Sequence, residues 1–374
     1  MAVLGLLIFG IDLLRGQVKI GHNTIRVFFT GFILTLWGFL VVIINNSDQL
    51  LYVEYFISLV SAFCASYFLV KATNNNIKSF NALLWIVVLT VFFESVLTIM
   101  MRFMPGFQDL MFSLQEFQTR DVDDQELLNI NRFVGLGEAV YFGVLPSCAL
   151  GQVSLTSLMI NDKSPKYTLL YWLIFTVVTV VSFLVARYCL AISLICLVWY
   201  LYNLFSKGEY KKIIVVLSVI VLLAVSVFAF LRLFLPEGVF EWAFELLENG
   251  SSDTKDNVLD WLINTKFDFK TFVLGDGLYS NKDGSYYGGV DIGLYRQIFY
   301  AGIIGLIILF IVHIEILKEC KKLLPSKQVR SLSKFMILSF FVIMLKGDKS
   351  IFDLLMLLYV FTNYSICQKV ISHE

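Results

Sequence analysis

Asp291 and Arg296 stand in the stretch GGVDIGLYRQIFYAGIIG (residues 288–305), on the first turns of a segment that continues as apolar sequence. A carboxylate there can take a proton from a hydroxyl, and a guanidinium can grip a phosphate through two parallel N–H···O bonds. Five residues apart, the two are about 140° apart around a helix, so they form no i,i+4 pair and each needs a partner elsewhere. The bland alternative is an acid favoured by the helix dipole beside a snorkelling arginine. Two such residues on one turn are hard to explain by packing alone. Ahead of them FVLGDGLYSNKDGSYYGG (272–289) is rich in residues suited to tight or left-handed turns. Behind them Ala301, Gly302 and Gly305 offer a small-residue face for close helix packing.

Other positions carry similar chemistry. Residues 167–205 hold one charge, Arg187. As a single helix they would run ~60 Å, twice the hydrocarbon thickness, so they must fold as a hairpin with Arg187 at its hinge. There it either snorkels to headgroups or binds an anionic ligand group. RFVGLGEAVYFG (132–143) sets Arg132 at the end of a span and Glu138 deeper, its glycines serving packing rather than a phosphate loop. Arg232 lies near another span end. DVDD (121–124) is more readily a solvated run than a divalent-metal site. KGDKS (346–350) brings Lys346 and Lys349 near Asp353, with a structural role and a phosphate contact equally open. His22, His313 and His373 fall in or near cytoplasmic positions, which leaves a carboxylate as any outer general base.

The elements that must position these residues are membrane helices. Hydrophobic residues make up 58% of the 374 and charged ones 16%, with mean hydropathy +0.78; a soluble domain is about a quarter charged. Eleven apolar segments follow one another: 1–14, 25–45, 51–70, 80–101, 133–160, 167–186, 188–206, 212–235, 290–316, 332–345 and 351–368. The first is short for a bilayer that needs ~20 helical residues. It fits a tilted or half-inserted helix, or a chain lacking some N-terminal sequence. The N-terminus has neither a basic region nor a small-residue cleavage site and is not read as a cleaved signal peptide. Lysines and arginines crowd alternate short connections, among them Lys207, Lys211 and Lys212, and Lys318 to Lys334. That bias places those connections and the C-terminus in the cytoplasm, with the acidic loops 102–132 and 236–289 outside. Each long loop is too small for an independent core, so the expectation is one integral membrane domain over 1–374, all-α and polytopic. PEGVFEWAFELLENG (236–250) reads as an amphipathic helix, with Phe240, Phe244 and Leu247 on one stripe, lying across the mouth of the bundle.

Charges inside spans face a cavity or a partner. Glu54, Glu94, Glu138, Asp291, Arg296 and Asp353 fall in the outer halves of their segments, and Arg102, Arg132 and Arg232 near outer ends. Asp12 and Glu315 alone lie in inner halves. That asymmetry fits a chamber open to the outside rather than a solute path through the midplane. Net charge is zero, which gives no basic face for nucleic acid. The six cysteines have neither disulfide nor metal spacing.

With these residues in hand, the chain resembles the bacterial O-antigen polymerase family (Wzy type) and the related O-antigen ligases. The resemblance rests on the hydropathy of the whole chain, the Arg132-Phe-x-Gly stretch, the Arg187 hinge, and LGDG…D-x-G-x-x-R…G-x-x-G from Leu274 to Gly305. It implies a GT-C-like membrane glycosyltransferase of lipopolysaccharide or other polysaccharide biosynthesis. Such an enzyme sits in the inner membrane with its site facing the periplasm and moves a growing glycan from undecaprenyl diphosphate onto a new lipid-linked repeat unit. Arginines would neutralise the diphosphate, so neither metal nor other cofactor is implied. The expected partners are lipid-linked glycans, membrane lipid and a chain-length regulator. Arg187 and Arg296 would grip the diphosphate, Arg132 would orient donor or acceptor, and Asp291 would act as base or hold an arginine, with Glu138, Arg232 and Lys346 binding substrate. Ligases carry a histidine–asparagine pair near the position of Asp291, absent here. A ligase transferring glycan to lipid A–core is the alternative within the same chemistry. A flippase for lipid-linked units is the alternative from another class, though the chain shows neither internal repeat nor midplane charges.

Overall fold

The computed structural model describes residues 1–73, 80–114, 133, 144–161, 167–185, 189–235, 237–238, 240–241, 244, 260, 263–283, 285–323, 326–345 and 352–365. The described residues are helical with no strand; one isolated antiparallel bridge joins Ser280 to Tyr286. In chain order the helices are α1 (Ala2–Leu14), α2 (His22–Asn45), α3 (Leu51–Thr73), α4 (Phe80–Phe103), α5 (Pro105–Leu114), α6 (Val144–Asn161), α7 (Thr168–Val185), α8 (Cys189–Ser206), α9 (Tyr210–Phe234), α10 (Phe269–Val273), α11 (Gly293–Leu323), α12 (Lys327–Met344) and α13 (Phe352–Val360), the last followed by a π turn, Phe361–Ser365. In lipid every backbone N–H and C=O must be satisfied within the protein, and a helix does this within one segment.

Seven of these helices, α2, α3, α4, α7, α8, α9 and α11, are long and apolar enough to cross a membrane. The protein is therefore a multi-pass membrane protein. Helix α1 is apolar but has 13 residues, and α6, α12 and α13 fall outside those seven. The all-α expectation stands in that form. The described parts of the two long loops include helix: α5 follows α4 after Met104 alone, and α10 precedes α11.

Contacts within the chain divide it into two compact units, Met1–Phe80 with Val258–Glu374, and Asn81–Asn257. In the first, α1 lies on α3 so closely that a Cβ on Gly5 would overlap the Cys64 carbonyl. Asp12 is buried there; its carboxylate accepts from Tyr67 Oη at 2.6 Å and Lys71 Nζ at 2.8 Å. At the same end, Arg26 of α2 reaches Glu315 of α11 at 3.2 Å, and Lys318 reaches it at 3.1 Å. Thr24 Oγ1 and Tyr359 Oη lie 2.8 Å apart, and Asn363 Nδ2 donates to Thr24 Oγ1 at 3.2 Å, joining the start of α2 to the π turn after α13. Both inner-half acids of the sequence therefore have basic partners.

His313 is part of the core of the first unit. It lies ten residues, ~15 Å, from the end of α11, buried, with its ring stacked on Phe340 and Phe352 at 4.0 and 4.6 Å. Its Nδ1 meets the Leu309 carbonyl oxygen at 2.9 Å. An imidazole spaced one turn from a carbonyl between two aromatic faces is core, wherever the loop charges place its helix.

In the second unit α6 is the central helix, buried without a break from Cys148 to Leu158. Gln152 Nε2 donates to Ser193 Oγ of α8 at 2.7 Å and to Thr179 Oγ1 of α7 at 3.1 Å, the kind of polar contact that ties helices together where lipid removes the hydrophobic drive. Helices α7 and α8 leave three residues between them, and Phe133 N–H donates to the Leu184 carbonyl at 3.2 Å. Helix α9 is the opposite of α6: among its residues Val216 and Leu231 are buried, and Ile214, Val221, Leu222, Val225 and Leu233 are more than half exposed. Lipid is the natural solvent for such a surface.

Candidate functional site

The site expected around Asp291 and Arg296 is built on a broken helix. In α11, Ala301 (φ −135°, ψ 15°) and Gly302 (φ 65°, ψ −179°) leave the helical region. Gly302 has a left-handed φ that a side chain would strain, and an added Cβ would overlap the Val273 carbonyl. A break of this kind frees carbonyls that must find donors. The turn after α10 supplies them. Asp276 N–H donates to Phe299 O at 2.6 Å and Gly277 N–H to Tyr300 O at 3.0 Å, while Trp37 Nε1 of α2 donates to Ala301 O at 2.8 Å. The LGDG run thus acts as a plug for the helix break, and its glycines allow the approach: Gly275 (φ 84°) lies against the backbone of Tyr300 to Gly302. Gly305 packs as expected from the sequence, against Trp37 and Tyr52. Gly302 does something else, breaking the helix rather than lining a flat packing face.

The turn between α2 and α3 holds the plug from the other side. Asn45 Nδ2 donates to Gly275 O at 3.1 Å, Ser47 Oγ to Gly277 O at 2.6 Å, and Gln49 Nε2 to Ser280 O at 2.6 Å. Gln49 Oε1 also accepts from the Tyr279 N–H at 2.6 Å. Asp268 caps α10, accepting from Thr271 N–H at 2.6 Å, and this backbone bond holds its carboxyl below the usual range. Asp276 accepts from Thr271 Oγ1 at 2.8 Å and Tyr287 Oη at 3.3 Å. Burial first, and the Asp276 charge next, push the Tyr287 phenol upward, so it stays a donor at neutral pH.

Arg296 sits on the first turn of α11 with its Cζ 3.8 Å from the ring centre of Tyr279 and 4.4 Å from that of Tyr286. Its Nε is buried and has no hydrogen-bond acceptor among the described residues. Next to it, Gln297 is fully buried; its Oε1 accepts from Tyr52 Oη at 2.9 Å and its Nε2 donates to Tyr55 Oη at 3.0 Å. That amide fixes the turn from which Arg296 projects. Asp291 is half-buried between buried Val290 and Ile292, beside a cluster that includes Phe299, Phe267 and Tyr295. The expectation that Asp291 and Arg296 would each find a partner elsewhere is met for Arg296 by two tyrosines.

The other expected residues fall in two groups. Arg232 belongs to the second unit, where its Cζ lies 4.7 Å over Phe240; Phe240 and Phe244 in turn pack on Phe228 of α9, at 5.5 and 5.0 Å. The aromatic stripe of 236–250 is therefore buried on its helix neighbours. Glu94 and Arg102 are half-buried on α4, and Glu54 is exposed on the first turn of α3. Arg132, Glu138, Arg187 and Lys346 lie outside the described residues, as do Leu247 and the DVDD run, and the side chain of Asp353 does too. Among the described residues no group of three or more His, Cys, Asp or Glu side chains is placed to hold a metal ion.

Sequence reasoning passed over Tyr279, Tyr286, Gln49, Gln297 and Trp37. A signal existed for the tyrosines, which stand within the turn-rich run just ahead of Arg296. Gln49 and Trp37 carried none, since their partners are more than 200 residues away.

Fold and site together define a multi-pass helical membrane protein whose plugged, broken helix presents an arginine stacked on two tyrosines. No protein-family model, no curated protein and no solved structure matches the chain.

Proposed function

We propose that the protein polymerises lipid-linked oligosaccharide repeat units at the outer face of the bacterial inner membrane. Its glycosyltransferase architecture would be GT-C-like with about eleven spans. The acceptor sugar hydroxyl attacks the anomeric carbon of the donor glycan, and the bond from that carbon to the undecaprenyl diphosphate oxygen breaks. Asp291 takes the hydroxyl proton or orients an arginine. Arg296, with Arg187, meets the negative charge that gathers on the leaving diphosphate. Arg132, Glu138, Arg232 and Lys346 contact donor and acceptor, and charge neutralisation by arginine leaves no step that needs a metal. A chain-length regulator is the expected protein partner.

One observation carries this reading: Arg296, beside the apolar body of a membrane helix, is stacked on Tyr279 and Tyr286 and has no ion-pair partner among the described residues. A guanidinium kept in that state suits a phosphoryl group arriving on a lipid. The resemblance in Arg132-Phe-x-Gly and D-x-G-x-x-R supplies the rest. The test is a gel of surface polysaccharide from a strain lacking the gene, complemented with the parent or with Arg296→Ala. Loss of long polymer with survival of core capped by a single repeat unit is the expected result for both the empty strain and the variant. Absence of any repeat on the core in the empty strain would overturn the reading. Single units stranded inside would then mean a flippase, and long lipid-linked polymer outside a ligase.

A further inference from the structure

We propose that Tyr279 and Tyr286 are positioning residues that hold the Arg296 guanidinium for edge-on, two-oxygen recognition of a phosphoryl group. This deepens, and rests on, the diphosphate reading above. A guanidinium has two faces and an N–H edge. Its Cζ lies over two ring centres at 3.8 and 4.4 Å, so aromatic carbon occupies the approaches over the guanidinium and we assign its N–H edge to the ligand. The rings attract the cation through their quadrupoles without cancelling its charge. A carboxylate in their place would compete with the incoming anion. The buried Nε with no acceptor among the described residues faces the same demand, an oxygen in the guanidinium plane.

The backbone that carries both rings is fixed before any ligand arrives. Tyr279 is held through its backbone N–H on Gln49, and Ser280 through its carbonyl on the same side chain. Tyr286 is held by its bridge to Ser280, by the Asn281 N–H bond to the Ser285 carbonyl at 2.9 Å, and by Asn281 Nδ2 on its own carbonyl at 3.2 Å. Gly288 (φ 70°) then brings the chain against the Phe299 ring and back to α11. A backbone fixed in this way preorganises the slot, and a planar guanidinium stacked on rings suits it better than a lysine ammonium.

The test uses the full chain in neutral phosphatidylcholine nanodiscs, with inorganic pyrophosphate as the probe and calorimetry as the readout, beside the polymer gel. Tyr279→Leu and Tyr286→Leu should each weaken pyrophosphate binding about five- to tenfold, whereas Tyr279→Phe and Tyr286→Phe, which keep the ring, should stay within about twofold. Arg296→Lys, which keeps the charge, should lose more than about tenfold. Leucine variants that bind as the parent does overturn the proposal, as do phenylalanine variants as weak as leucine. If Tyr279→Leu does not fold, Tyr286→Leu carries the test. Nanodiscs with phosphatidylglycerol separate the ligand sources: competition by that lipid assigns the slot to headgroup phosphate, and its absence to a diphosphate. If the pyrophosphate series holds while Arg296→Ala makes normal polymer, the polymerase reading fails and the slot stands. If Arg296→Ala abolishes polymer while the leucine variants bind and polymerise normally, the slot fails and the polymerase reading stands.

Discussion

Two ends of the first unit treat their charges in opposite ways. Where α2 begins and α3 ends, each acid meets a base: Asp12 with Lys71, Glu315 with Arg26 and Lys318. At the other end, where the α2–α3 turn grips the plug, Arg296 rests on Tyr279 and Tyr286. A paired charge is spent on the fold, since its field is cancelled within a few ångströms. A cation stacked on aromatics is attracted by the rings without having its charge cancelled, which leaves it able to meet a further anion. Charge in a membrane protein therefore informs on function only once its partner is known.

The sharpest way to break this comparison is to damage the scaffold that maintains it. Gly302→Ala should cost about 3 kcal/mol or more, from a strained φ and an overlap with the Val273 carbonyl. Gly10→Ala, which meets nothing within 4 Å, should leave stability unchanged or raise it slightly. Thermal unfolding in detergent distinguishes them, and equal melting temperatures would mean that the break in α11 is not a constraint. Next come the charges themselves. Asp12→Asn should lower stability by about 2 kcal/mol by removing charged hydrogen bonds to Tyr67 and Lys71, while Arg296→Ala should abolish polymer and leave the melting temperature within about a degree. The reverse pattern would invert the assignment of the two ends.

Gln49→Ala removes the acceptor for Tyr279 N–H and the donor to Ser280 O. It should cost about 1 kcal/mol and raise hydrogen exchange across 276–286 more than in α2 or α3; uniform exchange would show that Gln49 does not anchor the plug. The smallest effect concerns pH. Asp268 and Asp283 are held below the ordinary carboxylate range, Asp268 first by the Thr271 backbone N–H and Asp283 first by the Ser285 hydroxyl. Each folded-state pKa lies below its unfolded value, so their contribution is fully present above about pH 4. It is lost as pH falls through the depressed folded values. Amide exchange at Thr271 and Ser285 should rise only in that acid window, and protection unchanged at pH 2 would rule out the two caps.

Much of the helical skeleton was legible from periodicity and composition. The segment expected over 51–70 is Leu51–Thr73, that over 80–101 is Phe80–Phe103, and those over 167–186 and 188–206 are Thr168–Val185 and Cys189–Ser206. Arg296 was legible as well, because a charge on an apolar helix stands out against its neighbours. The tyrosines that hold it were not, since aromatic residues abound in this chain, 35 Phe and 17 Tyr, and single members of a common type carry no signal. Gly302 was read as packing because a glycine in a helical stretch looks the same whether the helix passes through it or breaks. His313 was placed from loop charge near the cytoplasmic end of its segment, and loop charge says nothing of whether the ring is buried.

By itself, the sequence determined that the chain is built from membrane helices and that Asp291 and Arg296 stand at the head of one of them. The reason is local: apolar runs of bilayer length need no distant partner to become helix in lipid, because each satisfies its own backbone. The tertiary structure alone decided that α11 is broken, that the LGDG turn fills the break, and which side chains meet Arg296. Those outcomes depend on carbonyls and rings brought together from α2, from the α2–α3 turn and from residues 271–287, and only the packed chain sets which donor reaches which acceptor.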